Sequence, residues 1–203
     1  MNSDDGFRYV LIITLLTLMS IGVYHRLKAR TGEKLDRKQE GLFILVALRL
    51  LGLAGWVMMA AYMVNPANLS FSAVTLPLWL RWTGVGLACL TCVLLVWTLQ
   101  NLGKNLTDTV VTRKQPTLVT TGPYRWVRHP FYDCAALFYL ATLLISANAI
   151  FLVIGGPVVL LLGLRTRVEE RNLLSRFGED YRRYRDHTGR FFPRFSNGRQ
   201  AAG

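Results

Sequence analysis

Long, almost uninterrupted apolar runs constrain this chain more than any other feature, at residues 9–24, 41–64, 76–99 and 131–164. A helix crossing a bilayer needs about 20 such residues. The last run, 34 residues, would rise about 50 Å as one helix, well beyond a hydrocarbon core of about 30 Å. Its middle, Ser146-Ala147-Asn148-Ala149, is small and polar enough to reverse tightly, so this run reads as a hairpin of two passes. With 52% hydrophobic and 18% charged residues, the expected fold is all-α: a multi-pass membrane protein of five spans, the last two forming the hairpin.

Charge gives an independent test of that count. Five spans put the two ends of the chain on opposite sides, and lysine and arginine should crowd the cytoplasmic loops. Of the 24 basic residues, 21 fall in 25–40, 100–130 and 165–203, which five spans place on one side. The other side carries Arg8 beside Asp4 and Asp5, an uncharged loop at 65–76 and the reversal at Asn148. The expected topology is therefore N-terminus out and C-terminus cytoplasmic, in the inner membrane if the source is bacterial. This distribution also accounts for the net charge of +12 without nucleic acid, since basic residues sit where topology and anionic lipid head groups favour them. The first run lacks a basic leader and a small-residue cleavage site, and reads as a retained helix. Trp79, Trp82 and Trp97 fit interfacial belts.

Arg49 and Arg81 lie inside apolar runs, where a charge is costly. Arg81, about one turn from the outer end of its span, is expected to snorkel. Arg49 lies about 12 Å in from the cytoplasmic end of the second span, and both snorkelling and a buried pairing role fit it. Cys89 and Cys92 share one face of an apolar helix and Cys134 stands alone, a pattern that favours lipid or helix packing. No histidine or second cysteine pair accompanies them, so no metal site is expected. There are no internal repeats or low-complexity segments.

The chemistry concentrates at Gly122-Pro123-Tyr124-Arg125-Trp126-Val127-Arg128-His129-Pro130-Phe131-Tyr132, between two apolar runs. Two prolines and a glycine keep this stretch from forming a plain helix. Irregular backbone near a bilayer is tolerated mainly where it lines a protein-enclosed cavity, so a pocket is expected here. An interfacial anchor would explain the aromatic and basic content, but anchors need no fixed order, whereas Gly-Pro-Tyr and His-Pro set the backbone around the one side chain that titrates near neutrality. Downstream, Arg165 and Glu169 are spaced i,i+4 and share a helical face, with Glu170 adjacent. Leu173, Leu174, Phe177, Tyr181 and Tyr184 then recur at helical spacing between charged residues, giving a C-terminal amphipathic cytoplasmic helix interrupted at Gly178.

The ordered combination Leu118-Val119-Thr120-Thr121-Gly122-Pro123-Tyr124-Arg125, Arg128-His129-Pro130-Phe131-Tyr132, Arg165, Glu169-Glu170, Phe177-Gly178-Glu179-Asp180-Tyr181 and Tyr184 resembles the isoprenylcysteine carboxyl methyltransferase family and the related membrane phospholipid methyltransferases. The likeness covers about residues 102–193. It implies an integral membrane enzyme that uses S-adenosylmethionine, held in a cytoplasmic pocket between the loop before the fourth span and the helix after the fifth. Residues 1–203 would then form one domain, with three supporting spans in 1–99 and the catalytic region in 100–203. By the same resemblance the cofactor contacts fall on Pro116, Thr117, Leu118, Val119, Tyr124, His129, Pro130, Phe131, Tyr132 and Glu169. Arg165 matches an arginine assigned to substrate, and Arg165 and Glu169 are the catalytic candidates. Two departures stand out: Asp133-Cys134 where relatives commonly have a glycine at the second position, and Thr109 where some have a cofactor-loop glutamine.

The implied partners are membrane lipids and a lipophilic or prenylated acceptor, with no nucleic acid and an oligomeric state left open. Arg165 favours a carboxylate acceptor through its planar fork; a phospholipid amine and a small thiol are alternatives. Two further alternatives are an NADPH-dependent sterol-type membrane reductase, which carries a similar Arg-His-Pro-x-Tyr segment, and a non-enzymatic membrane scaffold.

Overall fold

The computed structural model describes residues 3–29, 42–103 and 117–194, and every regular element among them is helical. Five helices follow in order: α1 (Ser3–Lys28), α2 (Leu42–Val64), α3 (Leu78–Leu102), α4 (Pro130–Ser146) and α5 (Ile150–His187). Short 3₁₀ segments, Pro66–Ser72 and Gly122–Arg125, precede α3 and α4. The apolar run at 131–164 divides where the sequence indicates: Ala147 takes a left-handed conformation (φ 50°) that ends α4, and α5 begins three residues later. Proline starts α4 because the first helical position needs no N–H donor and proline supplies the right φ.

Four helices, α1, α2, α3 and α5, are long and apolar enough to cross a membrane. Helix α4 is apolar but has only 17 residues, the lower end of the spanning range. Large side chains such as Phe43, Leu50, Leu53 and Leu160 face outward, as they do when lipid replaces water as the solvent and apolar exposure carries no penalty.

The buried core draws on every helix: Phe7, Leu11 and Leu15 of α1, Met59 and Tyr62 of α2, Ala88 of α3, Ala141 and Ile145 of α4, and Phe151 of α5. This core lies toward one end of the bundle. At that end the link between α2 and α3 is tied to the α4–α5 turn by backbone bonds from Val74 to Ala147 (2.8 Å) and from Ala149 to Ser72 (2.8 Å). Buried Asn148 completes the tie, accepting from Ser72 Oγ at 2.7 Å and donating to the Leu69 carbonyl at 2.9 Å. The opposite end carries the C-terminus of α3, the loop at 117–129 and the polar half of α5, so the distribution of loops matches the charge asymmetry.

Two expectations need correction. Arg81 does not snorkel: it is 7% exposed, its Nε and a terminal nitrogen donate to the Ile145 carbonyl at 3.2 and 2.9 Å, and its guanidinium lies 4.0 Å from the Phe7 ring centre. A carbonyl near the α4 terminus lacks a helical N–H partner, and a guanidinium near the bundle end satisfies it. Second, the final apolar pass runs on without a break into the amphipathic segment as far as Phe177, and the interruption expected at Gly178 is present, with φ 52° and ψ −120°. Only glycine adopts that backbone angle at little cost. Arg49, by contrast, points outward from α2, as snorkelling requires.

Candidate functional site

The site is assembled where the loop before α4 meets the polar half of α5. Residues 117–121 run without regular structure into the turn at Gly122, whose φ of 59° belongs to the left-handed region. A Cβ at Gly122 would collide with the Asn101 side chain, which bonds back to the Trp97 carbonyl (2.8 Å) and accepts from Thr121 Oγ1 (3.0 Å). The end of α3 thereby sets where the loop turns. The loop then passes through buried Pro123 and Tyr124, whose carbonyl accepts from the Tyr184 hydroxyl at 2.7 Å, anchoring it to α5.

At its far end the loop pairs with a segment beyond α5. Val127 and Gly189 form a parallel bridge, with backbone bonds from Arg128 to Gly189 (2.9 Å), Gly189 to Trp126 (3.2 Å) and His129 to Arg190 (3.2 Å). Arg128 also donates to the carbonyls of Arg185, at 3.2 Å, and Thr188. Residues 188–194 thus form a strap folded back over the loop.

The two adjacent glutamates have opposite surroundings. Glu170, with a side chain 11% exposed, accepts from Arg128 Nε (2.9 Å) and from Arg190 Nε and a terminal nitrogen (3.1 and 2.6 Å), and faces His129 Nε2 at 3.2 Å. Burial by itself would raise its carboxyl, but the hydrogen bonds from His129, Arg190 and Arg128 outweigh burial and hold it well below the usual carboxylate range. Its charge is therefore fully committed. Glu169, with a side chain 31% exposed, accepts from the Tyr132 hydroxyl at 2.9 Å and has His129 Nδ1 at 3.6 Å. Its side chain is therefore the more solvent-open of the two.

Buried His129 lies between the two carboxylates, its ring stacked on Tyr132 (5.5 Å between centres, 4° between planes) and tilted against Phe191 (6.0 Å). Burial, followed by the nearby charge of Glu169, pushes the Tyr124 hydroxyl far above its ordinary value, and burial does the same at Tyr181 and Tyr184. Aromatic rings and the two carboxylates thus lie together at this end of the bundle. No group of three metal-ligating side chains occurs among the described residues.

Of the residues named from the sequence, Tyr124, His129, Pro130, Tyr132 and Glu169 converge here, with Leu118 and Val119 half-buried and Thr117 exposed in the loop. Phe131 is 43% exposed, its ring beside that of Tyr132, and Pro116 lies outside the described residues. Arg165 is half-buried one helical turn before Glu169. Sequence reasoning missed Asn101, Arg190 and Phe191. The first sits at the end of an apolar helix and the others beyond the amphipathic one, where no spacing pattern marks them.

Helical packing with outward apolar faces, and a cluster of aromatic and carboxylate side chains at one end, fits a polytopic membrane protein. Residues 84–175, just under half the chain, match the sequence profile of the isoprenylcysteine carboxyl methyltransferase (ICMT) family, so the family likeness read from the sequence stands over that stretch. The match starts earlier than the motifs suggested, within α3, and stops before Phe177-Gly178. Among curated proteins, the chain is 39% identical over 85 residues to the cobalt-zinc-cadmium resistance protein CzcN of Cupriavidus metallidurans, and 36% identical over 70 residues to the methanethiol S-methyltransferase of Mycobacterium tuberculosis. These alignments cover 41% and 34% of this chain, and only 39% and 28% of the relatives' own lengths. The fold is similar to the solved structure of the eukaryotic intramembrane Ras methyltransferase ICMT, with a TM-score of 0.51 and 20% identity over 91% of this chain and 67% of that one.

Proposed function

We propose that this protein is a membrane methyltransferase that moves a methyl group from S-adenosylmethionine to a lipophilic acceptor at the cytoplasmic face. The observation that carries this reading is the contrast between the two glutamates: Glu170 is paired with Arg128 and Arg190, while Glu169, 31% exposed, accepts from the Tyr132 hydroxyl beside the His129 ring. Such a site suits a ligand that is both aromatic and cationic, as an adenosyl sulfonium is. When bound, S-adenosylmethionine supplies an electrophilic methyl group and a thioether leaving group.

The chain's own residues have three tasks. Tyr124, His129, Pro130, Phe131, Tyr132 and Glu169, with Pro116, Thr117, Leu118 and Val119 of the loop, bind and orient the donor. The strap and the turn at Gly122 exclude water, and positioning with dehydration provides most of the rate enhancement of an in-line displacement. Arg165 holds the acceptor, and its fork matches a carboxylate, which needs no general base to act as nucleophile. On this reading residues 1–203 are one domain: 1–99 supply three supporting spans, 100–203 form the catalytic region, and α4 with the apolar half of α5 makes the hairpin that completes five spans. The shared end of the 117–129 loop, the polar half of α5 and most of the basic residues supports an outside N-terminus and a cytoplasmic C-terminus.

A thiol acceptor is the second reading, favoured by the relative named as a methanethiol S-methyltransferase. Calorimetry on the detergent-purified protein tests the main proposal. Saturable S-adenosylmethionine binding, lost in Glu169→Ala at unchanged thermal stability, is the expected result; binding of NADPH instead would overturn it. Methyl incorporation into lipophilic carboxylates against lipophilic thiols then separates the two acceptors.

A further inference from the structure

The strap after α5 lies outside both the family match and the residues inferred to hold the donor, yet it reaches the centre of the site. Its backbone pairs with residues 126–129, and the bridge brings Phe191 tilted against the His129 ring, on which Tyr132 also stacks (6.0 and 5.5 Å between ring centres). Phe191 is half-buried, whereas its neighbour Phe192 is 83% exposed, so only the first ring of the pair is turned inward. The strap is held by an ionic contact, the two nitrogens of Arg190 on Glu170 at 3.1 and 2.6 Å. Glu170 also grips Arg128 and His129, so one carboxylate ties the strap, the loop and α5 together.

We propose that the strap is part of the donor site: Phe191 is a third aromatic wall for the cationic ligand, and Arg190 is the positioning residue that clasps it there. This rests on the methyltransferase reading above. Three rings beside a carboxylate form a better cation enclosure than two, because each ring presents a negative face and together they exclude water. Arg190 touches no ligand in this scheme; it acts through Glu170 and the strap backbone. Arginine suits the task because its planar fork engages both carboxylate oxygens, a geometry lysine cannot copy.

The test compares wild type, Phe191→Ala, Phe191→Tyr and Arg190→Gln, using S-adenosylmethionine binding by calorimetry and hydrogen exchange of residues 188–194. Phe191→Ala should bind about 5- to 30-fold more weakly with the strap still protected from exchange, and Phe191→Tyr should bind as wild type does. Arg190→Gln should lose strap protection and weaken binding to a similar degree, and adding Phe191→Ala to it should weaken binding little further. Wild-type binding with Phe191→Ala unchanged overturns this inference alone. Absence of wild-type binding overturns the methyltransferase reading and this inference with it.

Discussion

Replacing Glu170 with glutamine removes one charge from the most connected point of the site while keeping its shape. Arg128, whose side chain is 8% exposed, then keeps a buried charge without its partner. Breaking a buried pair on one side costs about 3–5 kcal/mol. Arg190 is 40% exposed, so its share is screened by water and the lower end, about 3 kcal/mol, is the better figure. If the chain unfolds as a unit, that lowers the midpoint by about 6–12 °C. If the strap opens alone, its amides exchange about 100-fold faster while the bundle is unaffected. Differential scanning fluorimetry in detergent and hydrogen exchange of residues 188–194 distinguish these cases. An unchanged midpoint together with strap exchange within about threefold of wild type would refute the reasoning.

The same carboxylate sets a pH dependence. Its folded value is depressed below the ordinary value of 4.5, so its stabilisation is fully present above that value and is lost as pH falls toward the lowered one. Strap protection should hold constant from about pH 8 to about pH 5 and decline below, and Glu170→Gln should lack the decline. Gly122→Ala should cost at least about 1–2 kcal/mol from the left-handed backbone, plus the clash with Asn101, and weaken donor binding. Gly103→Ala, also at positive φ but into open space, should cost the backbone part only and leave binding unchanged. Arg81→Leu should lower the thermal midpoint by removing charge-assisted bonds to the Ile145 carbonyl, together worth about 1.5–3 kcal/mol, with donor binding retained. An unaltered midpoint would show that the buried arginine contributes nothing net.

Sequence alone determined what hydropathy and local backbone chemistry control. Apolar runs long enough to span a bilayer, the reversal near Asn148 and the broken segment from Gly122 to Pro130 were all legible, because helix length, proline and glycine act over a few neighbouring residues. Much of the site was legible for the same reason: Tyr124, His129 and Tyr132 sit on one segment and Glu169 and Glu170 on another, and an ordered motif carries that information. Tertiary structure alone decided which partner each charge takes. Arg81 reads as a snorkelling residue until packing brings it to a carbonyl of α4, 64 positions away. Glu169 and Glu170 are neighbours of identical chemistry, yet Glu170 pairs with arginines at positions 128 and 190 while Glu169 accepts from the Tyr132 hydroxyl. Charge pairing depends on distance in space and on local exclusion of water, and neither is written in the order of residues.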